Sequence, residues 1–91
     1  MPSQVEEKLV ITFQSVNFAM QGEKKFEDNN LDLKIIPTPR EISSSCGLSI
    51  LTSLDYLGKI RQIEKEGMKV ANYWKYKKKE DGTKEAILIE E

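Results

Sequence analysis

Five short segments of the chain alternate apolar with polar positions, which is the two-residue period of a β-strand. The predicted strands are Lys8–Gln14, Asp32–Ile36, Leu48–Leu51, Lys69–Lys77 and Thr83–Glu90. The dipeptide Asp81-Gly82 between the last two is a strong hairpin signal. The fifth strand is therefore expected to pair back on the fourth, with Ile87 and Ile89 on one face.

Apolar residues at helical spacing predict a first helix from Val16 to about Asp28. Ser15 stands before it as a favourable N-cap. Asn29-Asn30 follows, and asparagine commonly replaces glycine at the end of a helix. The helix is thus bounded by a start signal and a stop signal.

A second helix is predicted to run to about Glu66, where Gly67 ends it. Its start, Thr52-Ser53-Leu54-Asp55, resembles a capping box with a hydroxyl first and a carboxylate three residues later. The resulting order is β-α-β-β-α-β with one extra terminal strand. This order predicts an α+β fold, a ferredoxin-like sandwich with two helices on one face of an antiparallel sheet, plus a C-terminal hairpin strand.

The length, composition and net charge of the chain predict one small cytoplasmic domain over 1–91. Residues 1–7 are expected to form a flexible tail and 8–91 the folded part. Of the 91 residues, 38% are hydrophobic and 32% charged, which is typical of a soluble domain. A net charge of -1 gives no global field for nucleic acid or an anionic membrane. No membrane span or signal-peptide core is recognisable. One cysteine and no histidine predict neither a metal site nor a resident cofactor.

The segment Pro37–Gly47 concentrates the candidate chemistry, because it holds the single cysteine, two prolines and three consecutive serines. Prolines fix φ and remove backbone donors, so a stiff turn is expected here. Serine hydroxyls and a permanent guanidinium charge beside a thiol favour its thiolate. The candidate site residues in this loop are Arg40, Ser43, Ser44, Ser45, Cys46 and Gly47.

The predicted topology adds Ser15 to this site. If the first two strands run in the same direction, the loop after the second strand lies at the sheet end where the first helix starts. Cys46 would then lie near the backbone N–H groups of Ser15, Val16 and Asn17, and a helix N-terminus lowers the pKa of a thiol.

Each of these residues also has a purely structural interpretation. Cys46 can be a small buried apolar residue, Arg40 a surface cation paired with Glu41, and the serines ordinary turn residues. Gly47 is read as allowing a close approach or an unusual backbone angle. The basic run of Lys75 and Lys77–Lys79, interleaved with aromatic residues, superficially suggests single-stranded nucleic acid. The favoured interpretation is that these lysines protect an edge strand from pairing.

The run IIPTPREISSSCG, with an upstream TFQS…A…E…F pattern, resembles the bacterial family known as putative selenium/sulfur carrier protein-like. The resemblance covers about the first half of the chain and is most specific in the loop. It implies that Cys46 holds a persulfide or selenopersulfide, and that the partners are sulfur or selenium donor and acceptor proteins.

The first functional hypothesis is therefore a carrier that is not itself an enzyme. Transfer between thiolates is a direct attack and needs no base, whereas a cysteine hydrolase needs one. The alternatives are an adaptor module whose loop captures an anionic ligand or a protein, and a redox-sensing thiol. The oligomeric state is left open. Sheets with an exposed edge often dimerise, although the lysine-rich fourth strand argues mildly against pairing at that strand.

Overall fold

A computed structural model describes residues 6–42, 47–79 and 81–89 of the chain. The strands are β1 (Glu6–Thr12), β2 (Leu33–Pro37), β3 (Leu48–Thr52), β4 (Asn72–Lys78) and β5 (Lys84–Ile89). The helices are α1 (Val16–Asp28) and α2 (Leu57–Lys65), and a short 3-10 turn over Leu54–Tyr56 leads into α2.

The five strands form one antiparallel sheet in the order β2-β3-β1-β4-β5, with β1 in the middle. The register places Ile11 of β1 opposite Ile50 of β3 and Tyr73 of β4. The predicted α+β class is confirmed, as a five-stranded antiparallel sheet with two helices. Most strand boundaries differ from prediction by one residue, and the larger differences are in β1 and β4. Glu6 and Glu7, expected in the tail, belong to β1, which ends at Thr12, and β4 starts only at Asn72.

Helix α1 has the predicted bounds because both of its ends are capped as the sequence indicates. The Ser15 hydroxyl accepts a hydrogen bond from the Phe18 backbone N–H at 3.3 Å. At the other end the Asn29 side chain donates to the Lys25 carbonyl at 2.8 Å, and Asn30 takes a positive φ of 60°.

The start of the second helical segment differs by one residue from the predicted capping box. Thr52 is the last residue of β3, and its hydroxyl donates to the Asp32 carbonyl. Ser53 is the N-cap instead, accepting from the Asp55 N–H at 3.2 Å. At the far end Gly67 has a φ of +127°, which favours glycine, as its predicted stop role requires.

One face of the sheet, the helix side, carries the hydrophobic core. Leu9, Ile11, Ile50 and Tyr73 share this face by register and are buried. The buried residues of α1 and α2 belong to the same cluster: Ala19, Phe26, Ile60 and Ile63. Both helices therefore pack on this face, and α1 comes so close that a Cβ at Gly22 would lie 3.0 Å from the Phe13 ring.

The opposite face, the loop side, is also buried at its centre although neither α1 nor α2 packs there. Val10, Thr12 and Ser49 are at most 1% exposed. Part of their cover is Trp74, whose indole N–H donates to the Thr12 hydroxyl oxygen at 3.2 Å. A further contact comes from the loop described below, where the hydroxyls of Thr38 and Ser49 share a hydrogen bond.

The predicted hairpin between β4 and β5 is confirmed. The Lys79 N–H donates to the Thr83 carbonyl at 2.8 Å and the Gly82 N–H to the Lys79 carbonyl at 3.0 Å, with a φ of +87° at Gly82. Asp81 accepts from the Thr83 N–H at 2.8 Å. Hydrogen bonding to Thr83, first through its side chain and then through its backbone N–H, holds the pKa of the Asp81 carboxyl below its usual value.

The prediction that the lysines protect an edge strand is wrong, because β4 lies between β1 and β5. Lys75 and Lys77 are instead 3.8 and 3.5 Å from the Glu7 carboxylate of β1. Lys79 lies 3.6 Å from Glu85 of β5. These lysines join β4 to its neighbours, and the edges of the sheet are β2 and β5.

Candidate functional site

The loop between β2 and β3 is closed where it leaves the sheet. The Thr38 N–H donates to the Gly47 carbonyl at 3.0 Å. The hydroxyls of Thr38 and Ser49 share a second hydrogen bond, 2.8 Å long. Residues 39–46 therefore form a loop whose two ends are held together, and the single cysteine of the chain belongs to it.

The first half of this loop folds over the loop side of the sheet. A turn is closed by the Ile42 N–H, which donates to the Pro39 carbonyl at 3.0 Å. Ile42 is 4% exposed, yet it is not part of the helix-side cluster. Its neighbour Glu41 accepts a hydrogen bond from the Tyr76 hydroxyl at 3.2 Å. Lys75 lies opposite Leu9 and is therefore on the helix side, so the next residue of β4, Tyr76, is on the loop side. The loop is thus attached to the face that the helices leave uncovered.

The hydrogen bond between Tyr76 and Glu41 affects the pKa of the Tyr76 phenol. The pKa of the Tyr76 phenol is raised above 10.0, first by partial burial, then by the hydrogen bond to Glu41 and the negative charge of that carboxylate. All three effects penalise the phenolate, so the phenol stays a hydrogen-bond donor at neutral pH.

The structure describes some of the predicted site residues and not others. Arg40 is exposed at the turn of the loop, and Ser15 caps α1. The predicted thiol and its serines, Cys46, Ser43, Ser44 and Ser45, lie outside the described residues. Their proximity to the N–H groups of Ser15, Val16 and Asn17 stays a prediction.

The exit of the loop does lie at the sheet end where α1 begins. Thr12, the last residue of β1, is opposite Ser49, the second residue of β3. Because α1 starts at Val16, a short connection joins this end of the sheet to the helix. The flank of the loop at Gly47 and Leu48 is therefore at the end of the sheet that the element order predicts.

The described part of the chain does not require glycine at position 47. Among the described residues, a Cβ at this position would meet nothing within 4 Å, and the φ of Gly47 is not in the left-handed region. Its described contribution is the carbonyl that accepts from Thr38.

Sequence reasoning missed the residues that attach the loop. Thr38, Glu41, Ile42 and Tyr76 were not candidates. The alternation along β4 could have placed Trp74 and Tyr76 on the face away from the helices. No signal in the sequence links Tyr76 to Glu41, because the two residues are far apart along the chain and share no motif.

Two classes of site find no support in the described part of the chain. Within residues 6–42, 47–79 and 81–89, no three carboxylate, thiol or imidazole side chains are grouped so that they could hold a metal ion. Neither described helix is long and apolar enough to cross a membrane.

The fold and the loop define a small α+β protein in which a closed, surface-attached loop carries a lone cysteine. A family model described as Putative Se/S carrier protein-like matches residues 8–75, from β1 into β4. The match spans most of the chain and includes the whole loop, and the chain belongs to this family. No curated protein and no solved structure matches the chain.

Proposed function

We propose that this protein is a sulfur or selenium carrier that holds a persulfide or selenopersulfide on Cys46 and passes the terminal atom to a partner protein. One observation carries the proposal: the loop with the single cysteine is closed at Thr38–Gly47 and attached at Tyr76–Glu41, in a chain that belongs to a carrier-like family. A carrier needs such a fixed frame, because its thiol must be presented in turn to a donor and an acceptor.

The loading step is an exchange between thiolates. The Cys46 thiolate attacks the terminal sulfur of a donor persulfide, forms the new S–S bond, and releases the donor as its thiolate. In unloading, an acceptor thiolate attacks the terminal atom and Cys46 leaves as a thiolate. The number of electrons is unchanged in each step, so no external oxidant or reductant is consumed. The same exchange with selenium in the terminal position gives a selenopersulfide.

The remaining candidates act on the charge of the thiolate or persulfide. Arg40 supplies a permanent positive charge from the same loop. Hydroxyl and N–H groups of Ser43, Ser44, Ser45 and Gly47 supply hydrogen-bond donors. Ser15 fixes the start of α1, whose N-terminal N–H groups carry partial positive charge. Together these groups would favour the charged, nucleophilic form of the thiol at neutral pH.

The fold of the carrier is proposed to be a ferredoxin-like β-α-β-β-α-β sandwich extended by β5. The antiparallel order β2-β3-β1-β4 and the placement of both helices on one face support this assignment. The partners in this proposal are donor and acceptor proteins of sulfur or selenium metabolism. The compartment is the cytoplasm, whose reducing conditions keep a lone thiol free.

The first experiment measures loading directly. The protein is incubated with a low-molecular-weight persulfide and its intact mass is recorded. We expect a gain of one sulfur atom that dithiothreitol removes, and no gain in Cys46→Ser. The alkylation rate of Cys46 is then followed against pH, with the unfolded chain as control. We expect the folded thiol to titrate at least a unit below the ordinary value of about 8.5.

Arg40→Ala and Arg40→Lys form a matched pair for the charge role. Loss of the charge should slow alkylation near neutral pH, and Lys should restore most of the rate. A thiol that reacts only after denaturation, or a Cys46→Ser protein that still gains sulfur, overturns the carrier proposal. In the first case Cys46 is a packing residue, and the adaptor hypothesis takes its place.

A further inference from the structure

Strand β5 forms one edge of the sheet and lies outside the part of the chain that the family model matches, which ends at Lys75. Its inner edge bonds to β4. The Lys79 N–H bonds to Thr83, and the backbone groups of an antiparallel strand alternate in direction. Thr83, Glu85, Ile87 and Ile89 therefore direct their backbone groups to β4. Those of Lys84, Ala86 and Leu88 point outward.

The second half of β5 is apolar and exposed on both faces. Ile87, on the helix side, is 40% exposed, and Leu88, on the loop side, is 42% exposed. In the first half, the Glu85 carboxylate is 3.6 Å from the ammonium of Lys79, the residue that follows β4, so its charge already has a partner. An exposed edge with adjacent apolar side chains is a template for another strand.

We propose that this edge pairs with β5 of a second copy of the chain, in an antiparallel ladder centred on Ile87. The two-fold axis would be perpendicular to the sheet, so that the two five-stranded sheets join into one and the helices of both copies lie on the same side. The outward groups of Ala86 and Leu88 would then bond to those of Leu88 and Ala86 in the second copy.

The side chains of β5 are complementary to themselves in this register. Ile87 faces Ile87 on the helix side, and the small Ala86 faces the large Leu88 on the loop side. Each apolar side chain of the exposed half of β5 therefore meets an apolar partner on the same face, which favours a second copy of β5 over a strand of unrelated sequence.

A single pair of short strands buries little area, so the dimer should dissociate on dilution. The first experiment is sedimentation velocity of the full chain over a range of concentrations. We expect a monomer at low concentration and a dimer at high concentration. A monomer throughout the range, up to millimolar, overturns the proposal, and β5 is then an edge for a strand of another protein or for none.

Two variants test whether β5 is the interface. Ala86→Pro removes an outward N–H and leaves the bonds to β4 in place, because the backbone of Ala86 does not bond to that strand. Leu88→Lys places a charge in the apolar half. Both should weaken the dimer at least tenfold, whereas Met20→Lys, a change at a 57% exposed position of α1, should not. A dimer of unchanged strength in both β5 variants would assign it to another surface.

A disulfide tests the register and is independent of the carrier chemistry when made in a Cys46→Ser background. Facing Cα atoms of a non-hydrogen-bonded antiparallel pair are about 4.5 Å apart, within disulfide reach. Ile87→Cys should therefore form a covalent dimer on mild oxidation. In Glu85→Cys the two thiols would be four residues out of register, about 14 Å apart, and should not bond. Equal cross-linking of the two variants would contradict the ladder centred on Ile87.

Discussion

Both faces of the sheet are buried at the centre, but different parts of the chain cover them. On the helix side, Leu9 and Ile11 are fully buried under Phe26 and Ile60, residues of two capped helices. On the loop side, Val10 is equally buried, but the cover is a tryptophan and a loop. That loop is attached by hydrogen bonds at Thr38 and Glu41 and by one buried side chain, Ile42.

The two faces therefore differ in role: the helix side carries the hydrophobic core, and the loop side carries the loop with the candidate chemistry. Apolar packing on the helix side contributes to the stability of the whole domain, since it joins both helices to the sheet. The loop side has few apolar anchors and several partly exposed hydrogen bonds, which is the pattern of a region that opens locally at lower cost.

The largest effect is expected on the helix side. Phe26 is fully buried between α1 and the sheet, so Phe26→Ala should lower the free energy of unfolding by about 3–5 kcal/mol. Urea denaturation measures it. Met20→Ala on the same helix, at a side chain that is 57% exposed, is the control and should change stability by less than about 0.5 kcal/mol. Similar losses in the two variants would mean that the helix side is not the source of stability.

A smaller and more local effect is expected on the loop side. Ile42→Ala should cost about 2 kcal/mol, the low end for a buried isoleucine, because a loop can relax around the lost methyl groups. Amide exchange should become faster at Thr38 and Ile42, whose N–H groups close the loop. Val16→Ala, at a 44% exposed position, is the control. A uniform rise in exchange over β1 and α1 would show that the two faces unfold together.

The smallest effect compares two tyrosines that each donate to a glutamate. On the helix side Tyr73 donates to Glu64 at 2.8 Å and is 7% exposed; on the loop side Tyr76 donates to Glu41 at 3.2 Å. Tyr73→Phe should cost about 1 kcal/mol and Tyr76→Phe about half of that, because the second bond competes with water. Equal costs in urea denaturation would contradict the proposed difference between the faces.

The pH dependence of the Tyr76 contact has a definite sign. Its folded pKa is raised, so the neutral phenol is favoured in the folded state. The contribution to stability is full below the unfolded value of about 10 and is lost as pH rises through the folded pKa. Ring carbon NMR should show Tyr76 titrating above the unfolded chain. In Glu41→Gln the pKa should fall but stay raised, since burial is the larger cause.

The fold was predictable where a local signal and the tertiary structure agree. Ser15 and Asn29 gave the bounds of α1 because both side chains bond to the helix ends. The predicted start at Thr52 was wrong by one residue, because Thr52 bonds to the Asp32 carbonyl across the sheet and Ser53 caps the 3-10 turn that leads into α2. The local sequence does not show which of these adjacent hydroxyls bonds across the sheet.

Only the residue types of the candidate site were predictable from the sequence, and the attachment of the loop to the sheet was not. The prolines, Arg40 and Cys46 are visible as residue types, and the loop resembles one family. Its attachment was not visible, since Ile42 is a single apolar residue without periodic neighbours. The lysines of β4 were misread because the fifth strand, itself predicted, turns β4 from an edge into an interior strand.

The hydrogen bond between Thr38 and Gly47 has a consequence for how this protein can change. Compact surface loops with ends held together behave as replaceable units, and lengthening one costs little entropy. Glu41 bonds to Tyr76 and Ile42 is buried, whereas the pairing of β2 with β3 is set by the strands themselves. The part of the loop after Ile42 can therefore be exchanged, by evolution or by grafting, provided that Glu41 and Ile42 are kept.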